Sequence, residues 1–314
     1  MTTIPRSPGP IPLKSQVGGH PGVMTSEDGS LVIKPALPVE VAFYQAVLAD
    51  PSLESIRPYV PRFFGTLRLE GQVDEERSAQ GPAQSIVLEN LSYGFAKPNI
   101  LDIKLGTTLY DEDASDEKRA RMEKKARETT SLETGVRLTG FQIYDLEKNN
   151  PVITPKSYGY SIKPADLPDG IAKFFIAAAP QRDSGAAPAH PADPAAGAGT
   201  TQGTGLPADV LLPVLSGLRE DVAEIRNALS GVHMRMVASS LLIIYEADPE
   251  RAREGVRIWL EEGTKKVGPP YAIKIIDFAH TRLKPGEGPD ESLLKGLDTV
   301  LRLLDGRIEQ VRAL

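Results

Sequence analysis

Apolar positions along the chain follow two periods. Runs such as LVIKP (31–35), SIVLENL (85–91), PNILDIKLG (98–106), VRLTGFQIYD (136–145), VASSLLIIYEA (237–247) and YAIKIIDFAHT (271–281) read as strands. In PVEVAFYQAVLAD (38–50), Val41, Phe43, Tyr44, Val47 and Leu48 recur at helical spacing. Residues 111–131 lack Pro and Gly beyond a capping Ser115 or Asp116, which predicts a helix. Helical spacing also marks residues 207–230 and the Leu/Val-rich C-terminal stretch, and PADLPDGIAKFFIAAA starts another helix. Residues 13–35 look like a hairpin, with turns at GGHPG (18–22) and SEDGS (26–30). KSYGYSI (156–162) reads as a bend. The opening β-β-α-β-β order predicts a small antiparallel lobe with one helix. No internal repeat is visible.

Two segments stand apart from this patterning. Residues 1–12 are Pro-rich, lack the apolar core of a signal peptide and read as a flexible tail. Residues 180–206 are almost all Ala, Gly, Pro, Thr and small polar residues. Such a stretch cannot bury enough surface to offset its ordering entropy, so a disordered insertion is expected.

The chain has 314 residues, of which 40% are hydrophobic, enough for one large domain or two lobes. Its net charge of −6 gives no support to general attraction for nucleic acid or membranes. Cysteine is absent, which excludes disulfides and thiolate metal sites. No apolar run approaches the roughly 20 residues that cross a bilayer, so no membrane span is expected. The acidic balance leaves nuclear and cytoplasmic residence both open.

The informative charges lie inside apolar strands. Lys34 sits in LVIKP, Asp102 and Lys104 in ILDIKLG, and Asp277 in IKIIDFA. A strand end reaching water explains any one of them, because charges are rarely buried unpaired. Together, in separate strands, they point to a common site. Phosphoryl transfer needs cations for phosphate oxygens and carboxylates for Mg²⁺. Asp277 followed by Phe278 resembles the metal-binding acid of protein kinases, although no Gly follows. The HRD loop, a Walker A loop and G-x-G-x-x-G are missing. Asp102 and Lys104 are two residues apart and so share one face of a strand, with Leu101, Ile103 and Leu105 behind them. Gly106 would let the chain turn sharply.

P-x-x-x-D-x-K-x-G is present in full as Pro98, Asp102, Lys104 and Gly106. SSLL (239–242), IDFAHT (276–281), GGHPGVM, LVIKP and EVAFYQAVL accompany it. By these motifs the chain resembles the inositol polyphosphate kinase family, most of all its multikinase branch of fungal type. The resemblance implies an α+β, two-lobed, protein-kinase-like fold with an antiparallel sheet in each lobe and flanking helices. The N-lobe would span 13–90 and the C-lobe 91–314, with a substrate-binding helix at 114–130.

It also implies roles. Lys34 would contact ATP phosphates and pair with Glu40, for which a solvent-facing helix charge is the alternative. Backbone groups of Glu89 and Leu91 would hold adenine. Asp102 would bind the ATP ribose and neighbouring substrate groups, and Lys104 would reach the inositol phosphate and the transferring phosphoryl group. Asp277 would ligate Mg²⁺, and His280 would face substrate phosphates. On the basic helix, Lys118 and Lys125 match substrate-binding positions. Helical spacing adds Arg121 to their face, although a solvated face of alternating charges is the plain alternative. The expected activity is ATP- and Mg²⁺-dependent phosphorylation of soluble inositol trisphosphate and tetrakisphosphate at the 3- and 6-hydroxyls, by a monomer. A trisphosphate 3-kinase, a hexakisphosphate kinase and a non-catalytic scaffold for transcription-complex proteins are the rival readings.

Overall fold

A computed structural model of the chain describes residues 10–13, 22–68, 84–178, 205–263 and 270–314. Most of the GGHPG turn, the polar loop before β5 and most of the expected insertion lie outside the described residues.

The N-terminal half builds β1 (Ile11–Pro12), β2 (Met24–Thr25), β3 (Leu31–Ala36), α1 (Pro38–Ala49), β4 (Phe63–Arg68) and β5 (Gln84–Glu89). The strands form one sheet in the order β1-β2-β3-β5-β4, antiparallel throughout. The end of the expected tail, Ile11–Pro12, is therefore a paired strand. The SEDGS turn forms because the Asp28 carboxylate accepts from Ser30 N at 3.1 Å while Gly29 takes φ 77°. Pro38 opens α1, where its missing N–H has no cost, and a 3₁₀ helix (Pro51–Tyr59) follows it.

The rest of the chain supplies β6 (Pro98–Leu105), α2 (Asp116–Glu128), α3 (Ser131–Thr134), β7 (Val136–Asp145), β8 (Asn150–Thr154), α4 (Lys156–Ser161), α5 (Leu167–Phe174), α6 (Ala208–Ser230), β9 (Met234–Met236), β10 (Ser240–Glu246), α7 (Pro249–Glu262), β11 (Tyr271–Ile276), β12 (Thr281–Leu283) and α8 (Glu291–Arg312). A second antiparallel sheet has the order β11-β10-β6-β7-β8, and β9 pairs with β12. The strand carrying Asp102 and Lys104 is thus the central one.

Three local differences from the sequence reading have physical causes. KSYGYSI is a helical turn, α4, because Gly159 lets it lie flat on β7: a Cβ there would stand 1.7 Å from Leu138 O. Leu206 belongs to the core although its neighbours are insertion-like. It is 1% exposed, and its N–H donates to Ile176 O at 3.0 Å. The strand at 271–281 stops at Ile276, because Asp277 adopts φ 66°.

Two aromatic contacts of Phe278 join the two layers. Phe278 stacks on Phe43 of α1 at 4.3 Å and meets Tyr44 edge-on at 5.4 Å. The Tyr59 hydroxyl adds a 2.7 Å bond to Glu224 of α6.

Candidate active site

The charges flagged in separate strands meet between the two sheets. Lys34 Nζ donates to Asp277 Oδ1 at 2.9 Å, and Lys104 Nζ donates to Asp277 Oδ2 at 2.6 Å. Lys34 also reaches Glu40 Oε1 at 2.9 Å. Glu40 is 1% exposed and accepts from Phe278 N as well, so it is a buried partner of the site, not a solvent-facing helix charge. Burial lowers the proton affinity of Lys34, but the charges of Asp277 and Glu40 outweigh this and raise its pKa. Burial favours neutral Asp277, yet Lys104 and Lys34 hold its carboxyl well below the usual carboxylate range.

Backbone strain positions this bridge. Asp277 and Ala238 both take left-handed φ values, 66° and 60°, and Lys104 Nζ donates to Ala238 O at 2.9 Å. Anchoring of Phe278 among Phe43 and Tyr44 holds the Asp277 backbone in that conformation.

Asp102 lies deeper, at 2% exposure. Burial pushes its carboxyl up, and the charge of Asp277 adds to this, against the pull of Lys104. The Ser240 hydroxyl lies beside it and favours the ionised form. Among the described residues Asp102 Oδ1 is buried and has no hydrogen-bond partner, which leaves it an open acceptor. Gly106 then takes φ 96°, and Ser292 Oγ accepts from Thr107 N at 2.7 Å, fixing the turn out of β6.

On the same face of the sheet as Asp102, an apolar patch forms from Phe95, Ile100 and Ile244, with Leu91, Leu242 and Ala272 against it. Leu91 belongs to the connection between the two sheets, and among the described residues nothing accepts from its N–H. Glu89 N donates to Arg62 O at 3.0 Å and its carboxylate accepts from Arg62 N at 2.9 Å, which ties the end of β5 to the residue before β4. Glu246 braces the segment by accepting from Ala96 N at 2.8 Å and Lys97 N at 3.0 Å.

Two basic corners flank Lys104. In the first, His280 Nδ1 stands 2.7 Å from Asp111 Oδ2, and Lys118 Nζ stands 4.0 Å from the same oxygen. Asp113–Arg282 and Glu112–Lys284 pairs, at 2.5 and 2.7 Å, pin the segment leading into α2. Ser115 caps α2 by accepting from Lys118 N. In the second corner, Lys125 and Arg137 stand over the Tyr160 ring, at 5.2 and 4.7 Å. Arg137 is the register partner of Lys104 on β7. Arg121 is exposed, and no interaction ties it to either corner among the described residues.

Arg137, Asp111 and Tyr160 were missed by the sequence reading. The rule that singled out Lys34 and Asp277, an ionisable residue inside an apolar strand, applies equally to Arg137 in VRLTGF. Asp111 stands in an acidic run that reads as a solvated face, and nothing local marks Tyr160.

Two lobes meeting at paired cations, an ionised carboxylate and an apolar slot define a phosphoryl-transfer enzyme. The sequence model of the inositol polyphosphate kinase family matches residues 85–190 and 207–305, and the chain belongs to that family. The gap between the two matched blocks falls within the composition-biased segment. The inositol polyphosphate multikinase of Saccharomyces cerevisiae is 30% identical over 92% of this chain and 96% of its own length. Inositol hexakisphosphate kinase 3 of Mus musculus is 30% identical over 70% of this chain and 50% of its own. A crystal structure of the S. cerevisiae inositol phosphate multikinase in complex with ADP and Mn²⁺ superposes with a TM-score of 0.64 at 31% identity. It covers 89% of this chain and 100% of that one. The protein is an inositol phosphate kinase with an antiparallel, kinase-like fold.

Proposed function

We propose that the chain transfers the γ-phosphoryl group of ATP to hydroxyls of soluble inositol polyphosphates, with the trisphosphate and tetrakisphosphate as substrates and the 3- and 6-positions as sites of attack. The observation that carries this reading is the Lys34–Asp277–Lys104 bridge, with an apolar slot on one side and two basic corners on the other. Adenine fits the slot beneath Leu91, where the Glu89 carbonyl accepts and the Leu91 N–H donates. Lys34 takes the nucleotide phosphates. Lys104 serves the transferring group, since it lies between the nucleotide side and the corners.

Asp277 suits a divalent cation. It is a hard oxygen donor, ionised at neutral pH, and stands where nucleotide phosphates and water would complete the shell. Mg²⁺ bound there supplies charge neutralisation on the phosphates. Among the described residues no group of three metal-ligating side chains occurs, in keeping with a metal held mainly by the nucleotide. The ADP and Mn²⁺ of the yeast neighbour support a nucleotide and a divalent cation as the cofactors.

Asp102 presents its open acceptor to the ribose or to the attacking hydroxyl. No strong base is needed when the transition state is loose, because positioning and charge neutralisation supply most of the acceleration. His280 and Lys118 on one side, and Lys125 and Arg137 on the other, receive the ring phosphates.

The test is product analysis. Purified protein is incubated with ATP, Mg²⁺ and, separately, inositol trisphosphate, tetrakisphosphate and hexakisphosphate, and the products are resolved by position. Turnover of the first two at the 3- and 6-hydroxyls is expected. Exclusive turnover of the hexakisphosphate would replace this reading with that of the hexakisphosphate kinase relatives.

A further inference from the structure

The corner made by α2, β7 and α4 contains a side chain that the kinase reading does not use, the Tyr160 phenol. Arg137 is 6% exposed, and its Nε has no hydrogen-bond partner among the described residues. A buried guanidinium with an open N–H is costly unless a ligand supplies the acceptor. Lys125 reaches the same place from α2. Both cations converge on one phenol, Tyr160, which is itself 41% exposed. Burial raises the Tyr160 pKa, but a hydrogen bond with Lys125 and the charge of Arg137 outweigh it and lower the value. The phenol therefore sits beside two cations on a residue that is partly open to solvent.

Resting on that kinase reading, we propose that Tyr160 is a specificity-determining residue, whose hydroxyl donates a hydrogen bond to a ring phosphate held between Lys125 and Arg137. The ligand class is a phosphate monoester on a polyphosphorylated cyclitol. The ring aims the two cations, and the hydroxyl reads the phosphate. The close fit of Gly159 on the β7 backbone fixes where that hydroxyl stands.

The experiment measures KM and kcat for inositol trisphosphate and tetrakisphosphate, and KM for ATP, in the full chain and in Tyr160→Phe and Tyr160→Ala. Tyr160→Phe is expected to raise KM for the inositol phosphates about tenfold, the loss of one hydrogen bond to a charged group. Its kcat and ATP KM should stay unchanged. Tyr160→Ala should raise the same KM further, because Lys125 and Arg137 lose their support. An unchanged KM in Tyr160→Phe beside a raised KM in Tyr160→Ala would leave the ring only a bracing role and overturn the proposal. Unchanged values in both variants would overturn it as well. If the wild-type chain turns over no inositol polyphosphate, the kinase reading fails and this inference with it. Turnover by wild type with an unaltered Tyr160→Phe sinks the inference alone.

Discussion

Asp277 joins the two lysines of the site, and its ionisation couples the site to the stability of the fold. Its pKa is lowered in the folded chain, since Lys104 and Lys34 outweigh the effect of burial. For a depressed carboxyl, the stabilising contribution is complete above the unfolded pKa of about 3.9 and is lost as pH falls towards the folded value. Lys34 has the opposite sign. Its raised pKa gives a contribution that is complete below the unfolded value of about 10.4 and is lost as pH rises through the folded one. The bridge is therefore intact across the neutral range. Unfolding free energies from denaturant titrations between pH 3 and pH 6 test this reading. The wild type should lose stability towards acid more steeply than Asp277→Asn, which has no proton to take up. Parallel acid limbs would show that Asp277 is not ionised by its two lysines. Asp102 works against the trend, because its raised pKa favours the folded state on the acid side.

At the scale of elements, the placement of side chains depends on close backbone approaches. Gly159 is the tightest, with its absent Cβ only 1.7 Å from Leu138 O. Gly159→Ala should push α4 off β7, cost on the order of 2 kcal/mol of stability and raise KM for the inositol phosphate. An unchanged melting temperature would mean that α4 is not seated on β7 as described. This contact also shows where sequence reading stops. The strands were legible because each keeps its alternation or apolar run whatever it pairs with. The helices α1 and α8 were legible because apolar residues repeat at helical spacing, and α2 because a cap precedes a run without Pro or Gly. α4 was not, since a short turn with Tyr, Gly and Tyr has no periodicity to read and is helical only because it lies on β7. β8 has an exposed, featureless pattern, and the 3₁₀ helix is short and interrupted by Pro58.

The same distinction holds for the site. Lys34, Asp102, Lys104 and Asp277 each break an apolar strand, so local pattern marks them. Glu40 stood open between a surface charge and a partner, because only the fold shows which way α1 turns. Asp111 and Tyr160 have meaning only through His280, Lys125 and Arg137, which lie far away in sequence. Lys118 and Lys125 belong to opposite corners, so the cationic face of α2 spans the pocket while Arg121 remains at its exposed edge.

For the whole molecule, the two sheets bring together groups that no single layer contains. Lys34 and Glu40 come from the N-terminal layer, while Lys104 and Asp277 come from the C-terminal one. The cleft therefore exists only while both layers are docked, and Phe278 among Phe43 and Tyr44 does the docking. The most direct measurement is the rate of phosphoryl transfer from ATP to inositol trisphosphate by the wild-type chain and by Lys104→Ala, with ATP affinity followed in parallel. The wild type should form the tetrakisphosphate. Lys104→Ala should lose about a hundredfold or more in kcat, the size of removing one group that stabilises transition-state charge, while still binding ATP. Full activity in Lys104→Ala would contradict the account.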